Sequence, residues 1–348
     1  MKNILTILVI TILFASCKKE AQKKEDNQLK KQEEVTVYTH RHYKADQELF
    51  ADFEKETGIK VNVVNAKADE LMQKMTIEGA QSPADVLITV DAGRLVRAKN
   101  KGLLQSVNSE ILEKTIPAHL KDVDNHWFAL TKRARVIVYN PAKVSAEELS
   151  TYEALIENKW KNKLLVRSSS NIYNQSLLAS IIANNGEEKA EKWANGIVKN
   201  MARSPKGNDR DQIKVVVAGE GDLAIVNTYY IGKLVHSKNP EEIKAGKGIK
   251  VFFPNQTTNG THINVSGAGV AKYAPNKENA IKFIAFLVRE KSQEKFANSN
   301  YEYPVNKKVE VSDLLKSWGT FKEDTLSLTK LGENNKKAVL IFDKASWK

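Results

Sequence analysis

Val35-Thr36-Val37-Tyr38, the run Ala45 to Thr57, and Ile59-Lys60-Val61-Asn62-Val63-Val64 together decide the fold. The first piece alternates as a strand does. The second places Leu49, Phe50 and Phe53 on one helical stripe and meets Gly58 as its stop. The third alternates again. Two parallel strands need a crossover of about this length, so the chain opens as a β-α-β unit. Outward from this unit the pattern repeats. A helix is expected over Ala66 to Gly79, a buried strand over Asp85-Val86-Leu87-Ile88-Thr89, and a helix from Ala92 to Lys101, ending at Gly102. Strands follow at Arg135 to Tyr139, Leu164-Leu165-Val166 and Leu223 to Val226, with a helix from about Asn174 to Asn185. Val265 to Lys272 reads as a strand and Asn276 to Val288 as a helix after Pro275. Ser145-Ala146-Glu147-Glu148 has the capping-box spacing that starts a short helix.

The chain has 348 residues, a formal net charge of +12 and one cysteine. That length predicts about two domains, because single cores rarely keep growing beyond about 250–300 residues. A hydrophobic share of 41% excludes a wholly disordered chain, and a lone cysteine excludes internal disulfides and clustered thiolate metal sites. That cysteine is Cys17. Lys2 and the apolar run Ile4 to Ala15 precede it; the run is too short to span a bilayer and is followed by the small residues Ala15-Ser16. Residues 1–16 are therefore expected to be a signal peptide. Their arrangement resembles the lipobox of bacterial lipoproteins, which implies lipidation of Cys17 and a membrane anchor, although Phe14 replaces the usual leucine. Lys18 to Glu34 carries six lysines, five acidic residues and Leu29 as its sole large aliphatic side chain, so residues 17–34 read as a disordered tether. About 314 residues and about +10 remain for the folded body. Its basic residues are scattered through helices without an arginine-rich run, which argues against nucleic acid as a partner.

No fixed-period repeat and no Pro/Gly/Ser linker interrupts the body. Two α/β lobes that share a chain crossing between them are expected: residues 35–132 with about 260–304, and residues 133–259 with about 305–348. In such folds strand ends and helix starts face one cleft.

The residues expected to line that cleft stand at strand-to-helix junctions. Arg41-His42-Tyr43 follows the first strand, Ser168-Ser169-Ser170-Asn171-Ile172-Tyr173-Asn174 precedes a helix, and Asn227-Thr228-Tyr229-Tyr230 follows another strand. Adjacent tyrosines in a regular helix diverge by about 100°, so a non-helical backbone at the helix entry is expected to aim both phenols inward. Four phenols and one imidazole suit a hard trivalent cation, since hard ions favour oxygen and Fe³⁺ is acidic enough to strip a phenol of its proton. Four phenolates would leave the site at −1, for which Arg133 or Arg135 is the candidate counter-charge. Ser168, Ser169 and Ser170 offer hydroxyls and backbone N–H groups to carbonate or another small anion. A single tyrosine at a helix start is ordinarily a packing residue, and His40 with His42 reads equally as a solvated loop pair. His119, His126, His236 and His262 stand alone and are taken as structural. From residues alone, the reading stops at a binding fold with a polar, aromatic cleft.

Six segments go further. Val35 to Tyr43, Ser82 to Val86, Leu130 to Asn140, Arg167 to Leu177, Asn227 to Tyr230 and Asn300 to Val305 resemble, in this order, the ferric iron-binding proteins of bacterial ABC transporters, particularly their FutA-like branch. The resemblance implies a type II two-lobed periplasmic binding fold and a monomer. It also implies Fe³⁺ ligation by Tyr43, Tyr173, Tyr229 and Tyr230 with His42, and delivery to a permease and its ATPase. Lys233 departs from the family, where an arginine is common. The alternative on the same fold is a receptor for an organic anion or an amine-bearing solute. An enzyme is not expected, because the chain has no nucleophile elbow, His-Glu-x-x-His pair or glycine-rich phosphate loop.

Overall fold

The computed structural model describes residues 32–348; the expected signal peptide, Cys17 and nearly all of the tether lie outside them. No helix among the described residues is long and apolar enough to cross a membrane.

The opening unit forms as read: β1 (Glu34–Thr39), α1 (Lys44–Thr57) and β2 (Lys60–Asn65), with β1 and β2 parallel. Gly58 ends α1 at φ 71°, and its N–H reaches the Glu54 carbonyl at 2.9 Å. Next come α2 (Ala68–Glu78), β3 (Val86–Val90) and α3 (Ala92–Asn100), and β3 pairs in parallel with β1. Asp85, just before β3, accepts from the Thr36 N–H at 2.7 Å and the Asn276 N–H at 2.6 Å, tying β1 to the start of a later helix.

The long strand β4 (Phe128–Tyr139) joins two sheet regions. Its first half, from Phe128 to Ala134, runs antiparallel to β8 (Ile263–Val270), which in turn pairs with β3. From Arg135 to Tyr139 it pairs instead with β6 (Leu223–Asn227), beyond which lies β5 (Leu164–Leu165). β7 (Lys250–Phe252) and β9 (Tyr303–Pro304) also pair with β4. Only the Arg135–Tyr139 half was expected, because Thr131, Lys132 and Arg133 interrupt the apolar pattern although the strand is nearly all buried. β8 begins two residues earlier than expected, since Asn264 lies inside the strand with its polar groups satisfied.

The remaining helices used below are α4 (Ile172–Asn185), α5 (Asp209–Ala218), α6 (Thr228–Val235), α7 (Lys277–Leu287), α8 (Glu290–Asn300) and α9 (Thr329–Glu333). Ser145 and Glu148 do form the capping box, at the start of a single 3-10 turn over Ala146–Glu148. The chain's C-terminal part brings α9 against both α3 and α4; a Cβ on Gly332 would stand 2.4 Å from Val96, so only glycine permits that approach.

Candidate metal centre

The loop between β1 and α1 is held from both ends. The Arg41 N–H donates to Thr39 Oγ1 at 3.0 Å, and Asn65 Nδ2 donates to the Arg41 carbonyl at 2.8 Å. The buried Arg41 guanidinium donates to Asp46 at 2.9 Å, Ser266 at 2.6 Å and Glu302 at 3.1 Å. That anchorage sets the next two residues. Tyr43 becomes the half-buried N-cap of α1, while His42 remains exposed beside it, ring centroids 5.3 Å apart.

Tyr173 lies in the first turn of α4, where its N–H donates to the Asn171 cap at 3.1 Å. Tyr229 and Tyr230 lie in the first turn of α6 after the cap residue Asn227. The backbone at this pair is helical, contrary to the expected non-helical entry. Their rings nevertheless lie 4.1 Å apart at 30°, because Cα–Cβ bonds tilt toward the helix N-terminus and two side chains of the first turn can project past the helix end. The phenols of Tyr173 and Tyr229 are hydrogen-bonded at 3.2 Å. Tyr43 is near enough to Tyr229 and Tyr173 for each to perturb its ionisation.

Burial pushes the Tyr43 phenol up to about 12, and the Glu302 carboxylate and Tyr173 add to the rise. Tyr229 and Tyr230 are raised as well, first by burial and then by neighbouring phenols. Without a cation these three groups hold their protons, since each phenolate would sit in a poorly solvated place near others. A multivalent cation reverses that balance.

The two candidate arginines differ. Arg135 is largely committed to structure: its two Nη atoms donate to Asp209 at 2.8 Å, Asn227 at 3.2 Å and Asn174 at 2.7 Å, and its Nε alone lacks a partner. Arg133 is 1% exposed and donates to Ser266 at 3.2 Å, while its Nε and Nη2 have no partner. Its guanidinium carbon lies 5.2 Å from the Tyr173 ring centroid. The buried Glu302 and Asp91 carboxylates are near enough to feel its charge, yet two buried donors without a partner are costly unless an acceptor meets them. The serine run is less available. Ser168 and Ser170 hydroxyls bond each other at 2.9 Å, the Ser170 N–H donates to Ser168, and the Ser169 N–H donates to the Lys348 carbonyl at 3.3 Å.

Lys233 stands one turn beyond the tyrosine pair, its ammonium 3.4 Å from the Tyr43 ring centroid and 5.2 Å from that of Tyr229. Burial brings it down to about 8. The sequence singled it out only as a departure. Glu302 and Asp209 carried no signal of their own: Glu302 sits between two tyrosines in an irregular segment, and Asp209 reads as an ordinary first-turn acid of α5. His40 is half-buried instead of solvated, and burial with nearby guanidiniums lowers it to about 3; His262 behaves likewise.

Asp122, Asp124 and His126 form a second group with ligand-like spacing. Lys99 already places its ammonium 2.9 Å from Asp122 and 2.7 Å from Asp124, where a cation would go. A groove of about 1330 Å³ between α1, the α7–α8 junction and residues 306–308 contains none of the tyrosines. The chemistry of the donors, not cavity size, selects the tyrosine cluster.

Residues 38–294 match the family described as bacterial extracellular solute-binding protein. Iron uptake protein A1 of Synechocystis sp. is 50% identical across 99% of this chain and 95% of its own length. The major ferric iron-binding protein of Neisseria meningitidis is 31% identical across 79% of this chain and 82% of its own. Among solved structures, the Trichodesmium protein in complex with iron and citrate ligands superposes with a TM-score of 0.88 at 49% identity, covering 90% of this chain and 100% of that one. The ferric binding protein from Campylobacter jejuni gives 0.86 at 46% identity, covering 90% and 100%.

Proposed function

The chain belongs to the bacterial extracellular solute-binding proteins, with the type II two-lobed fold of its ferric iron-binding relatives, and from that premise we propose that it binds Fe³⁺ through tyrosine phenolates and delivers it to the permease of an ABC-type importer. It is a transport receptor, not an enzyme. The observation that carries this reading is the convergence of Tyr43, Tyr173, Tyr229 and Tyr230 from three helix starts beside the free donors of Arg133. Four phenolates around Fe³⁺ leave a net −1, and Arg133 and Lys233 are the cations placed to offset it. The two free nitrogens of Arg133 also fit a carbonate or carboxylate bound with the metal; the Trichodesmium structure holds citrate with its iron. His42 stands beside Tyr43 as a fifth ligand.

The lobes are read as residues 35–132 with about 260–304, and 133–259 with about 305–348. The change of β4's partner between Ala134 and Arg135, two residues beyond that first boundary, supports a crossing between lobes within β4. Tyr43 and His42 then come from one lobe and three tyrosines from the other, so metal binding and lobe closure favour each other. Release follows reduction or protonation, because Fe²⁺ is a poorer match for phenolate. Acylated Cys17 would hold this body at a membrane facing the periplasm; fatty-acid labelling that persists in Cys17→Ala would contradict that anchor.

Spectrophotometric titration with Fe³⁺ tests the metal assignment. A visible phenolate-to-iron charge-transfer band, saturating near one iron per chain, is expected. A colourless protein without iron by elemental analysis after loading overturns it, and calorimetry then decides whether an organic anion takes the site.

A further inference from the structure

Asp91 connects β3 to α3 with φ 80°, a backbone conformation that residues with side chains rarely adopt. Its carboxylate is completely buried and well supplied with donors. Gly93 N–H donates to it at 2.8 Å, the Ser176 hydroxyl lies 2.7 and 2.8 Å from its two oxygens, and Asn264 Nδ2 donates at 2.8 Å. These donors belong to α3, α4 and β8. Strained backbone persists where the surroundings over-determine it, and such positions gather at functional sites.

Helix α4 is the one that carries Tyr173. Ser176 lies three residues further on, one turn away on the same face. It is wholly buried, so its hydroxyl has no water to turn to. Val90, the residue before Asp91, packs with Ile172, Tyr173 and Tyr230. A Cβ on Gly93 would stand 3.0 Å from the Asp91 carboxylate and 3.7 Å from the Ser176 hydroxyl, so the start of α3 is pressed against α4. On the other side, Asn264 belongs to β8, which pairs with β3, and β3 pairs with β1, the strand that leads to Tyr43. One carboxylate thus lies between the structure behind Tyr43 and the helix bearing Tyr173.

We propose that Asp91 is a positioning residue for the metal centre: through the Ser176 hydroxyl it sets where Tyr173 stands relative to Tyr43. This rests on the iron reading above. Asp91 is read as a support and not a ligand, since its carboxylate is fully buried and accepts from three donors, the Gly93 N–H, the Ser176 hydroxyl and Asn264 Nδ2. Its part is to fix α4 against β3 and β8 so that the phenols of the two sides meet the ion together.

The test is the release of Fe³⁺ from the loaded full chain to excess EDTA, followed at the charge-transfer band, with the metal-free melting temperature measured alongside. Ser176→Ala should release iron about tenfold faster or more and shift the band, because it removes a hydrogen bond to a buried charge, while the metal-free protein melts within a few degrees of wild type. Ser176→Thr, which keeps the hydroxyl, should restore slow release. Asp91→Gly, which suits the positive φ, should accelerate release as Ser176→Ala does. Wild-type release and an unshifted band in Ser176→Ala, even with a lower melting temperature, would overturn the proposal and leave only a packing role. A wild-type chain that takes up no iron would instead overturn the iron reading, and the proposal with it.

Discussion

Two sides of the tyrosine cluster are built differently. Tyr173, Tyr229 and Tyr230 stand in the first turns of two helices, with one phenol–phenol hydrogen bond and one close ring pair already formed. Beneath them Asp209, completely buried at the start of α5, accepts from Arg135 at 2.8 Å, Arg167 at 3.3 Å and the Asn227 N–H at 2.7 Å, tying α5 to β4 and to the end of β6 from which α6 starts. Opposite them, Tyr43 is a single half-buried phenol on a loop that one arginine holds in place. The difference implies a division of labour. On the proposed iron reading, the three-tyrosine side is a preformed platform, and Tyr43 is the donor that would complete the coordination. Preorganisation keeps the ordering cost of binding low on the first side and concentrates it on the second.

The largest effects are expected at the platform. Tyr229→Phe with Tyr230→Phe should abolish the visible band and retained iron, measured by elemental analysis after desalting, since two of the four anionic donors vanish. Removing the platform's support should act on folding instead. Asp209→Ala leaves Arg135 and Arg167 without their buried carboxylate, and urea denaturation of the metal-free protein should report a loss of about 3–5 kcal/mol.

Acidity probes both sides together. Tyr43, Tyr229 and Tyr230 hold their protons more tightly in the fold than in the unfolded chain, where a phenol ionises near 10. Iron uptake at neutral pH must therefore expel protons, and affinity should fall as pH falls, by up to about tenfold per pH unit for each proton released. For the metal-free protein the sign is opposite. Raised phenol values contribute stability that is complete below about pH 10 and is lost as pH rises toward 12, which melting curves from pH 8 to 11 should show. The smallest effect is expected at His42: exposed and without a buried partner to hold it, His42→Ala should weaken iron retention by less than about tenfold and leave the band's position nearly unchanged.

Local signals made much of this legible. The β-α-β opening was readable because α1 is amphipathic and Gly58 stops it, and each tyrosine was found because it directly follows a strand or opens a helix. The first half of β4 was not, since Lys132 and Arg133 break its apolar pattern, and only distant partners such as Ser266 and Glu323 explain why they lie there. The same limit hid which arginine keeps more donors free. Arg133 and Arg135 look alike two residues apart; Asp209, which separates their roles, is 74 residues away from Arg135. Asp91 was invisible for a related reason: an aspartate before Ala-Gly reads as a common helix cap, and neither its positive φ nor its Ser176 contact can be inferred from neighbours in sequence.

The proposed site has four phenol oxygens, drawn from both sides, holding one ferric ion. A crystal structure of the iron-loaded protein, with anomalous scattering recorded at the iron edge, tests it directly. One peak is expected, enclosed by Tyr43, Tyr173, Tyr229 and Tyr230, within bonding distance of all four oxygens. A peak elsewhere, for instance at Asp122 and Asp124, or a peak bonded to the three platform tyrosines with Tyr43 turned away, would contradict it.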